Sequence, residues 1–209
     1  MLYLTGNLNA LVRPLLDSGG LGLMTTPRNR YRIMPGWTWA ADNGCFSRGY
    51  PGDAPWLAWL ESFPVELRTH CLFATAPDIV GDAIASLDRS RPWLPVIRSL
   101  GYRAALVTQD GLTPGMVPWA DVDWLFIGGT NQHKLGPEAE ALIEAAKFQG
   151  IPVHVGRVNS GRRYATFAAL GCTSADGTFL GFGPTANLPR LQSWIDKHRQ
   201  QQALDFSYA

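Results

Sequence analysis

Carboxylates that follow short apolar runs are the residues of this 209-residue chain whose types and spacing could do chemistry. Asp42 follows Trp39–Ala41, Asp78 follows Cys71–Ala74, and Asp176 lies in a third polar segment near the C-terminus. If the apolar runs are parallel strands, their ends bring the carboxylates together at one rim, where repulsion raises at least one pKa. A fold carries this repulsion only where the carboxylates have a charge partner or a chemical use. The sequence therefore predicts a site that works through carboxylates.

Other polar residues that follow apolar runs are candidates for ligand binding. Gln109 and the pair Gly128-Gly129 stand at such positions. Each also has an ordinary structural interpretation, because aspartate and glycine are common in turns. Asp82 in particular suits the N-cap of a helix. Which of Asp78 and Asp82 would face a ligand is open at this stage.

Short apolar runs alternate along the chain with segments of helical periodicity. The runs are Leu21–Thr25, Trp39–Ala41, Cys71–Ala74, Ala104–Val107, Trp124–Ile127 and Ile151–Val155. Apolar runs without alternation predict strands that are buried on both faces. The helical segments lie at 53–63, 82–100, 137–148, 161–170 and 189–202, and prolines within 82–100 predict a break there. Strands that alternate with helices indicate a parallel sheet.

A single compact (β/α) barrel of seven or eight units over residues 1–209 is the fold that this alternation predicts. No Gly-x-Gly-x-x-Gly segment follows the first strand and no P-loop is present, which disfavours dinucleotide-binding and P-loop sheets. Eight units leave about 26 residues for each. The total of 209 residues lies just above the lower length limit of about 200 residues for this fold. We expect residues 203–209 to form a flexible tail.

The charge balance limits the partners that the chain can bind. Lys plus Arg number 18 and Asp plus Glu number 17, so the net charge is +1 and a generally basic surface is excluded. Contact with nucleic acid must then come from local patches. Arg157, Arg162 and Arg163 form one such patch, and we expect them to contact phosphate. The other interpretation of such a patch is an ordinary solvated face.

Cysteine usage and the N-terminal sequence indicate a cytoplasmic protein without bound metal. The three cysteines, Cys45, Cys71 and Cys172, are too few and too widely spaced for a disulfide framework or a zinc ribbon. No signal peptide and no apolar stretch long enough to span a membrane is recognisable. We therefore expect no metal, no cofactor and no membrane contact.

Five short segments between Ala40 and Thr178 occur in the order of the motifs of a known family. The segments are Asp42–Phe46, Pro77-Asp78, Gln109–Gly111, Gly128-Gly129 and Gly171–Asp176. Together they resemble the tRNA-guanine transglycosylase superfamily, including its phage and bacterial relatives that insert 7-deazaguanines into DNA. For a phage protein, the predicted cytoplasmic location is the cytoplasm of the host.

The resemblance implies a role for each matched residue. Asp176 would be the nucleophile and Asp42 the acid/base residue. The base would be bound by Asn43, Phe46, Asp78, Gln109, Gly128 and Gly129. Phe46 would stack on the base.

The implied activity is the exchange of guanine in nucleic acid for a 7-deazaguanine base similar to preQ0, through a covalent aspartyl-glycosyl intermediate. The tRNA enzymes of that superfamily carry a zinc-binding insertion after the nucleophile, and no cysteine follows Cys172 here. The resemblance therefore favours DNA over tRNA as the substrate. A duplex target would have to be flipped out first, and a partner protein that opens the duplex is one expected solution.

Two other functions remain open at the level of the sequence. With water as the acceptor, the same site would release a deazaguanine from a nucleoside or nucleotide. The chain could also be a barrel that binds a base or nucleic acid without turnover. The presence of Asp42, Asp78 and Asp176 together disfavours a pure binding protein, which has no need of a nucleophile.

Overall fold

Eight parallel strands close into a barrel in the computed structural model, which describes residues 1–29, 31–47 and 50–207. The strands are β1 (Leu2–Thr5), β2 (Gly22–Thr25), β3 (Trp39–Ala41), β4 (Cys71–Thr75), β5 (Ala104–Thr108), β6 (Trp124–Ile127), β7 (Val153–Val155) and β8 (Ser174–Gly177). Each pairs with its neighbours in chain order, and β8 pairs with β1 to close the ring. The predicted (β/α) barrel is confirmed, with eight units.

The strands that close the barrel, β1 and β8, are the two that the apolar pattern did not predict. The sequence of β8 is Ser-Ala-Asp-Gly, which has no apolar run. It is extended because it lies between two partners, with Leu4 of β1 in register with Asp176 and His154 of β7 in register with Ser174. Asp176 therefore lies within a strand and not, as expected, in a segment beyond one.

Helices cover the outside of the barrel. They are α1 (Arg13–Asp17), α2 (Asp53–Glu61), α3 (Val65–Arg68), α4 (Ala83–Ser90), α5 (Trp93–Ser99), α6 (Asn131–Lys134), α7 (Pro137–Phe148), α8 (Gly161–Ala169) and α9 (Pro184–Ser207). The predicted break within 82–100 separates α4 from α5. Helix α9 continues through Ser207, into the segment predicted as a tail, and residues 208–209 lie outside the described residues. Among the described helices, none is both long and apolar enough to span a membrane.

The inside of the barrel is filled by side chains and is not a pore. Its buried apolar cluster consists of Leu4, Met24, Ala40, Phe73, Ala105 and Trp124. The small residues Ala40 and Ala105 leave room for the rings of Phe73 and Trp124, whose centroids are 5.1 Å apart. The larger cluster of buried apolar residues lies between strands and helices. The packed interior forms a floor beneath the carboxyl ends of the strands.

Candidate active site

A cavity of about 330 Å³ lies at the carboxyl ends of the strands, and three carboxylates line it. Asp42 directly follows β3, Asp78 follows β4, and Asp176 belongs to β8. The carboxyl end is where barrels of this kind carry their active sites. A larger groove of about 870 Å³ lies against α8 and α9, but its lining includes no carboxylate. The smaller cavity is therefore the candidate site.

Asp176 is held through one of its two carboxylate oxygens. Its Oδ1 lies 3.2 Å from Nε2 of His154 and accepts a hydrogen bond of 3.2 Å from the backbone N–H of Arg157. Within the described part of the chain, no hydrogen bond reaches Oδ2. Asp176 thus has a fixed orientation and one oxygen that is available to a ligand.

His154 joins the packed interior to the site. It is fully buried, and its ring centroid lies 4.5 Å from that of Phe126 and 5.0 Å from that of Phe73. Burial lowers the pKa of His154, so the neutral ring is favoured. The carboxylate of Asp176 can only accept, so Nε2 carries the proton and Nδ1 accepts from the hydroxyl of Ser174, 2.8 Å away. This buried histidine therefore orients the carboxylate of Asp176.

Asp42 is a carboxylate whose proton affinity is raised by its surroundings in the cavity. Desolvation, followed by repulsion from Asp176 and Asp78, raises its pKa to about 7. The hydroxyl of Thr75 lies 3.4 Å from Oδ1 and offsets only part of this effect. Near neutral pH, Asp42 can therefore either donate or accept a proton, as a general acid/base residue requires.

Asp78 is oriented by the two amides that we expected to bind the base. Asn43 Nδ2 donates to its Oδ1 over 3.0 Å, and Gln109 Nε2 donates to its Oδ2 over 2.6 Å. Both amides are almost fully buried, and Asn43 Nδ2 also donates to the backbone carbonyl of Ala76. Asn43 and Gln109 therefore line the cavity but position Asp78. Burial raises the pKa of Asp78 even with these two donors.

Asp82 has the structural role that the sequence left open. Its carboxylate accepts a hydrogen bond of 3.0 Å from the backbone N–H of Ala85 and caps α4. Asp82 is exposed and is not part of the cavity wall. Of the two candidates, only Asp78 faces the cavity.

Two adjacent glycines of the cavity wall lie where a side chain does not fit. A Cβ on Gly128 would lie 2.6 Å from Cγ1 of Val107 and 2.7 Å from the carbonyl oxygen of Thr108. Gly129 has a φ of 72°, which other residues rarely adopt. The predicted pair Gly128-Gly129 therefore lines the cavity with backbone alone, as close approach of a ligand requires.

Of Phe46 and the three arginines, only Phe46 and Arg157 line the cavity. The Phe46 ring is 62% exposed at the mouth, and the guanidinium of Arg157 lies over it, 4.3 Å from its centroid. The side chain of Arg157 thus crosses the cavity mouth. Arg162 and Arg163 lie outside the cavity in the first turn of α8.

Lys134 is a cavity residue that the sequence did not indicate. It ends the short polar helix α6, yet it is only 4% exposed, and its Nζ donates to the backbone carbonyl of Gly156 over 2.7 Å. No carboxylate of the described residues lies within ion-pair distance of it. Desolvation, with repulsion from Arg157, lowers its pKa to about 7. The one sequence signal was its position shortly after the Gly128-Gly129 pair.

Replacing Lys134 by Met should stabilise the protein most at low pH. Between pH 7 and the ordinary lysine pKa of about 10.4, the unfolded chain holds a proton that the folded chain has lost, so wild-type stability rises with pH in this window. We expect Lys134→Met to raise the free energy of unfolding by about 1–3 kcal/mol at pH 6, and by less at pH 9. Denaturant unfolding at three pH values measures this gap.

Lys147 provides the matched control for that experiment. It is exposed and also donates to a single backbone carbonyl, that of Leu170. Lys147→Met should change the free energy of unfolding by a similar amount at pH 6 and pH 9. If the gain in the free energy of unfolding from Lys134→Met were as large at pH 9 as at pH 6, or larger, it would contradict the lowered pKa of Lys134.

Among the described residues, no group of three or more His, Cys, Asp or Glu side chains is arranged to hold a metal ion. Asp42, Asp78 and Asp176 share the cavity without forming such a group. The arrangement supports acid/base and nucleophilic chemistry of the side chains themselves.

Comparison with known proteins supports the fold. No protein-family model and no curated protein matches the sequence. A solved structure of 3-hexulose-6-phosphate synthase matches with a TM-score of 0.53 and 10% identity, over 93% of this chain and 99% of that one. The Amycolatopsis orientalis BexX/CysO complex matches with a TM-score of 0.59 and 18% identity, over 99% of this chain and 91% of that one. At these identities the likeness concerns the fold alone.

The resemblance to the tRNA-guanine transglycosylase superfamily is contradicted by this comparison. The similar structures are a hexulose-phosphate synthase and the BexX/CysO complex, and neither name is that of a transglycosylase. The motifs that indicated that family are short, and Asp and Gly recur at strand ends for reasons of turn geometry. The roles of the site residues must therefore be argued from the geometry of the cavity.

Proposed function

We propose that the protein is a base-exchange pentosyltransferase, which replaces guanine in nucleic acid by a 7-deazaguanine through a covalent aspartyl-glycosyl intermediate. The observation that carries the proposal is the pairing of Asp42 and Asp176 in one cavity. One has a pKa near neutrality, and the other has a fixed orientation and a free oxygen. Two carboxylates with different roles are what double displacement at a sugar carbon requires.

Asp176 serves as the nucleophile. Its Oδ2 attacks C1′ of the sugar, the bond from C1′ to the base breaks, and the bonding electrons leave with the base. The hydrogen bonds from His154 and from the Arg157 N–H remain on Oδ1 and keep the carboxylate aligned. Proximity and orientation of this kind account for a large part of the rate of such a step.

Asp42 serves as the acid and then as the base. In its protonated form it gives a proton to the departing guanine, and the carboxylate so formed takes a proton from the incoming base. That base attacks C1′ and releases Asp176. A pKa of about 7 lets one residue perform both transfers near neutral pH.

Asp78 serves in recognition of the base. Guanine presents two neighbouring donors, N1–H and the 2-amino group, and a carboxylate can accept from both. The amides of Asn43 and Gln109 hold Asp78 in the wall of the cavity. The exposed ring of Phe46 offers a flat surface for stacking of the same base.

Mass spectrometry of nucleosides tests the proposal. DNA and tRNA are incubated separately with the protein and a 7-deazaguanine base, and are then digested and analysed. The expected result is loss of guanine and gain of the deazaguanine nucleoside, in DNA more than in tRNA. Release of base without replacement would identify a hydrolase, and absence of any change in both nucleic acids would refute base exchange.

Replacing both Arg162 and Arg163 by Ala should weaken binding of nucleic acid. Both arginines lie at the start of α8, which follows β7 and is therefore on the side of the cavity. Loss of two phosphate contacts should reduce the slope of log affinity against log salt by about 1.5 to 2. Fluorescence anisotropy with a labelled strand at several salt concentrations measures both quantities.

Arg91 is the matched control, because it follows the last turn of α4, at the opposite end of the barrel. Arg91→Ala should leave the affinity and the salt slope unchanged. Unchanged binding in the double variant would show that Arg162 and Arg163 belong to an ordinary solvated face.

A further inference from the structure

Arg157 combines a strained backbone with a side chain that crosses the cavity mouth. Its φ is 61°, and it is the one non-glycine residue with a positive φ among the described residues. That conformation is unfavourable for a residue with a Cβ. Strain of this kind persists only where the surroundings impose it, and it clusters at functional sites.

The strained backbone serves Asp176, and the side chain is directed elsewhere. The N–H of Arg157 donates to Asp176 Oδ1, while Nη2 donates to the backbone carbonyl of Gly129. The guanidinium also lies 4.3 Å from the centroid of the Phe46 ring. Arg157 thus links three rim segments, those after β3, β6 and β7.

The guanidinium has the shape and the polarity of the edge of a base. It is flat, it carries N–H donors in its plane, and it can lie against an aromatic face. The ring of Phe46 and the carbonyl of Gly129 are groups that a flat base with an amino group would also use. Both line the same cavity as Asp42 and Asp176.

We propose that the guanidinium of Arg157 holds the place on Phe46 and Gly129 that the base takes, and that the base must displace it to bind. This inference rests on the proposed function, since it assumes that the ligand is a base. On displacement, the positive charge moves to the cavity mouth, where it can pair with a phosphate of the bound strand. Binding of a free base therefore breaks the contacts of Arg157 with Phe46 and Gly129. A base within a strand breaks them too, but its phosphate gives the guanidinium a new partner.

Removal of the side chain should therefore tighten the binding of a free base. Equilibrium dialysis with radiolabelled guanine is the measurement. We expect Arg157→Gly to bind guanine about tenfold more tightly than wild type, and glycine accepts the φ of 61° without strain. Arg157→Ala should show a similar gain, because backbone strain that is present with and without guanine does not change guanine affinity. Arg91→Ala, which removes a cation at the opposite end of the barrel, should show no gain.

A double variant tests whether the competition takes place on Phe46. Phe46→Ala should weaken guanine binding, and adding Arg157→Gly to it should give much less than a tenfold gain. Equal or weaker guanine binding by Arg157→Gly, or no measurable binding by either protein, would overturn the inference. So would a full tenfold gain in the Phe46→Ala background, because Arg157 would then act elsewhere.

The outcome is separable from that of base exchange. Tighter guanine binding by Arg157→Gly, with no exchange by wild type in the nucleoside assay, would retain the inference and refute the activity. Exchange by wild type, with unchanged guanine binding by Arg157→Gly, would refute the inference and retain the activity.

Discussion

Asp176→Ala should abolish base exchange, with a loss of at least about 10⁴-fold in turnover, while the fold and substrate binding persist. In the proposed mechanism both displacement steps pass through this carboxylate, so no other residue can take over its role without a different mechanism. Asp176→Asn should be equally inactive. Its amide oxygen can still accept from His154 and from the Arg157 N–H, but the amide is a poor nucleophile. The covalent adduct of wild type with a guanine-containing strand should be absent from both variants.

Thermal unfolding and strand binding are the controls for these variants. Near wild-type turnover in Asp176→Ala would show that the mechanism is wrong and would make Asp42 or Asp78 the candidate nucleophile. Unfolding of both variants would instead show that Asp176 mainly holds β8 against its neighbours.

Asp42→Asn should slow adduct formation by about 10²- to 10⁴-fold, which is the usual contribution of a general acid. In the proposed mechanism the leaving base needs the protonated form of Asp42, whose pKa is raised to about 7. The wild-type rate of adduct formation should therefore fall about tenfold per pH unit above pH 7. Single-turnover rates between pH 6 and pH 9 measure this limb, and the residual rate of Asp42→Asn should lack it.

Asp82→Asn is the matched control for this experiment, since Asp82 caps α4 outside the cavity and asparagine is an equally good cap. Its rate and pH profile should be those of wild type.

The raised pKa of Asp42 also makes the stability of wild type depend on pH. Below pH 7 the folded chain keeps a proton that the unfolded chain loses above its ordinary aspartate pKa of about 3.9. The free energy of unfolding therefore falls as pH rises from 4 to 7, and Asp42→Asn should remove this fall.

Local apolar patterns predicted most strands of the barrel. They did not predict β1 and β8. Apolar runs such as Ala104–Val107 are buried on both sides wherever they lie in a parallel sheet, so the sequence alone indicates them. The segment Ser174–Gly177 is a strand only because β1 and β7 pair with it on either side. That information lies in distant residues and not in the segment.

The sequence predicted the carboxylates of the site, but it did not predict the roles of the residues beside them. A carboxylate at the end of a buried run indicated Asp42 and Asp78, and topology then placed both in one cavity. The hydrogen bonds of Asn43 and Gln109 depend on the separation of neighbouring strands, which no spacing along the chain reveals. Likewise, the contact of buried Lys134 with the carbonyl of Gly156, which follows β7, depends on the packing of neighbouring strands.

His154 contacts both the interior packing and the site, so residues of the two regions should evolve together. Its ring contacts Phe73 and Phe126, while its two nitrogens contact Ser174 and Asp176. A substitution at any of these neighbours changes both the volume around the ring and its orientation toward the carboxylate. Positions 73, 126, 154 and 174 should therefore vary together among homologues.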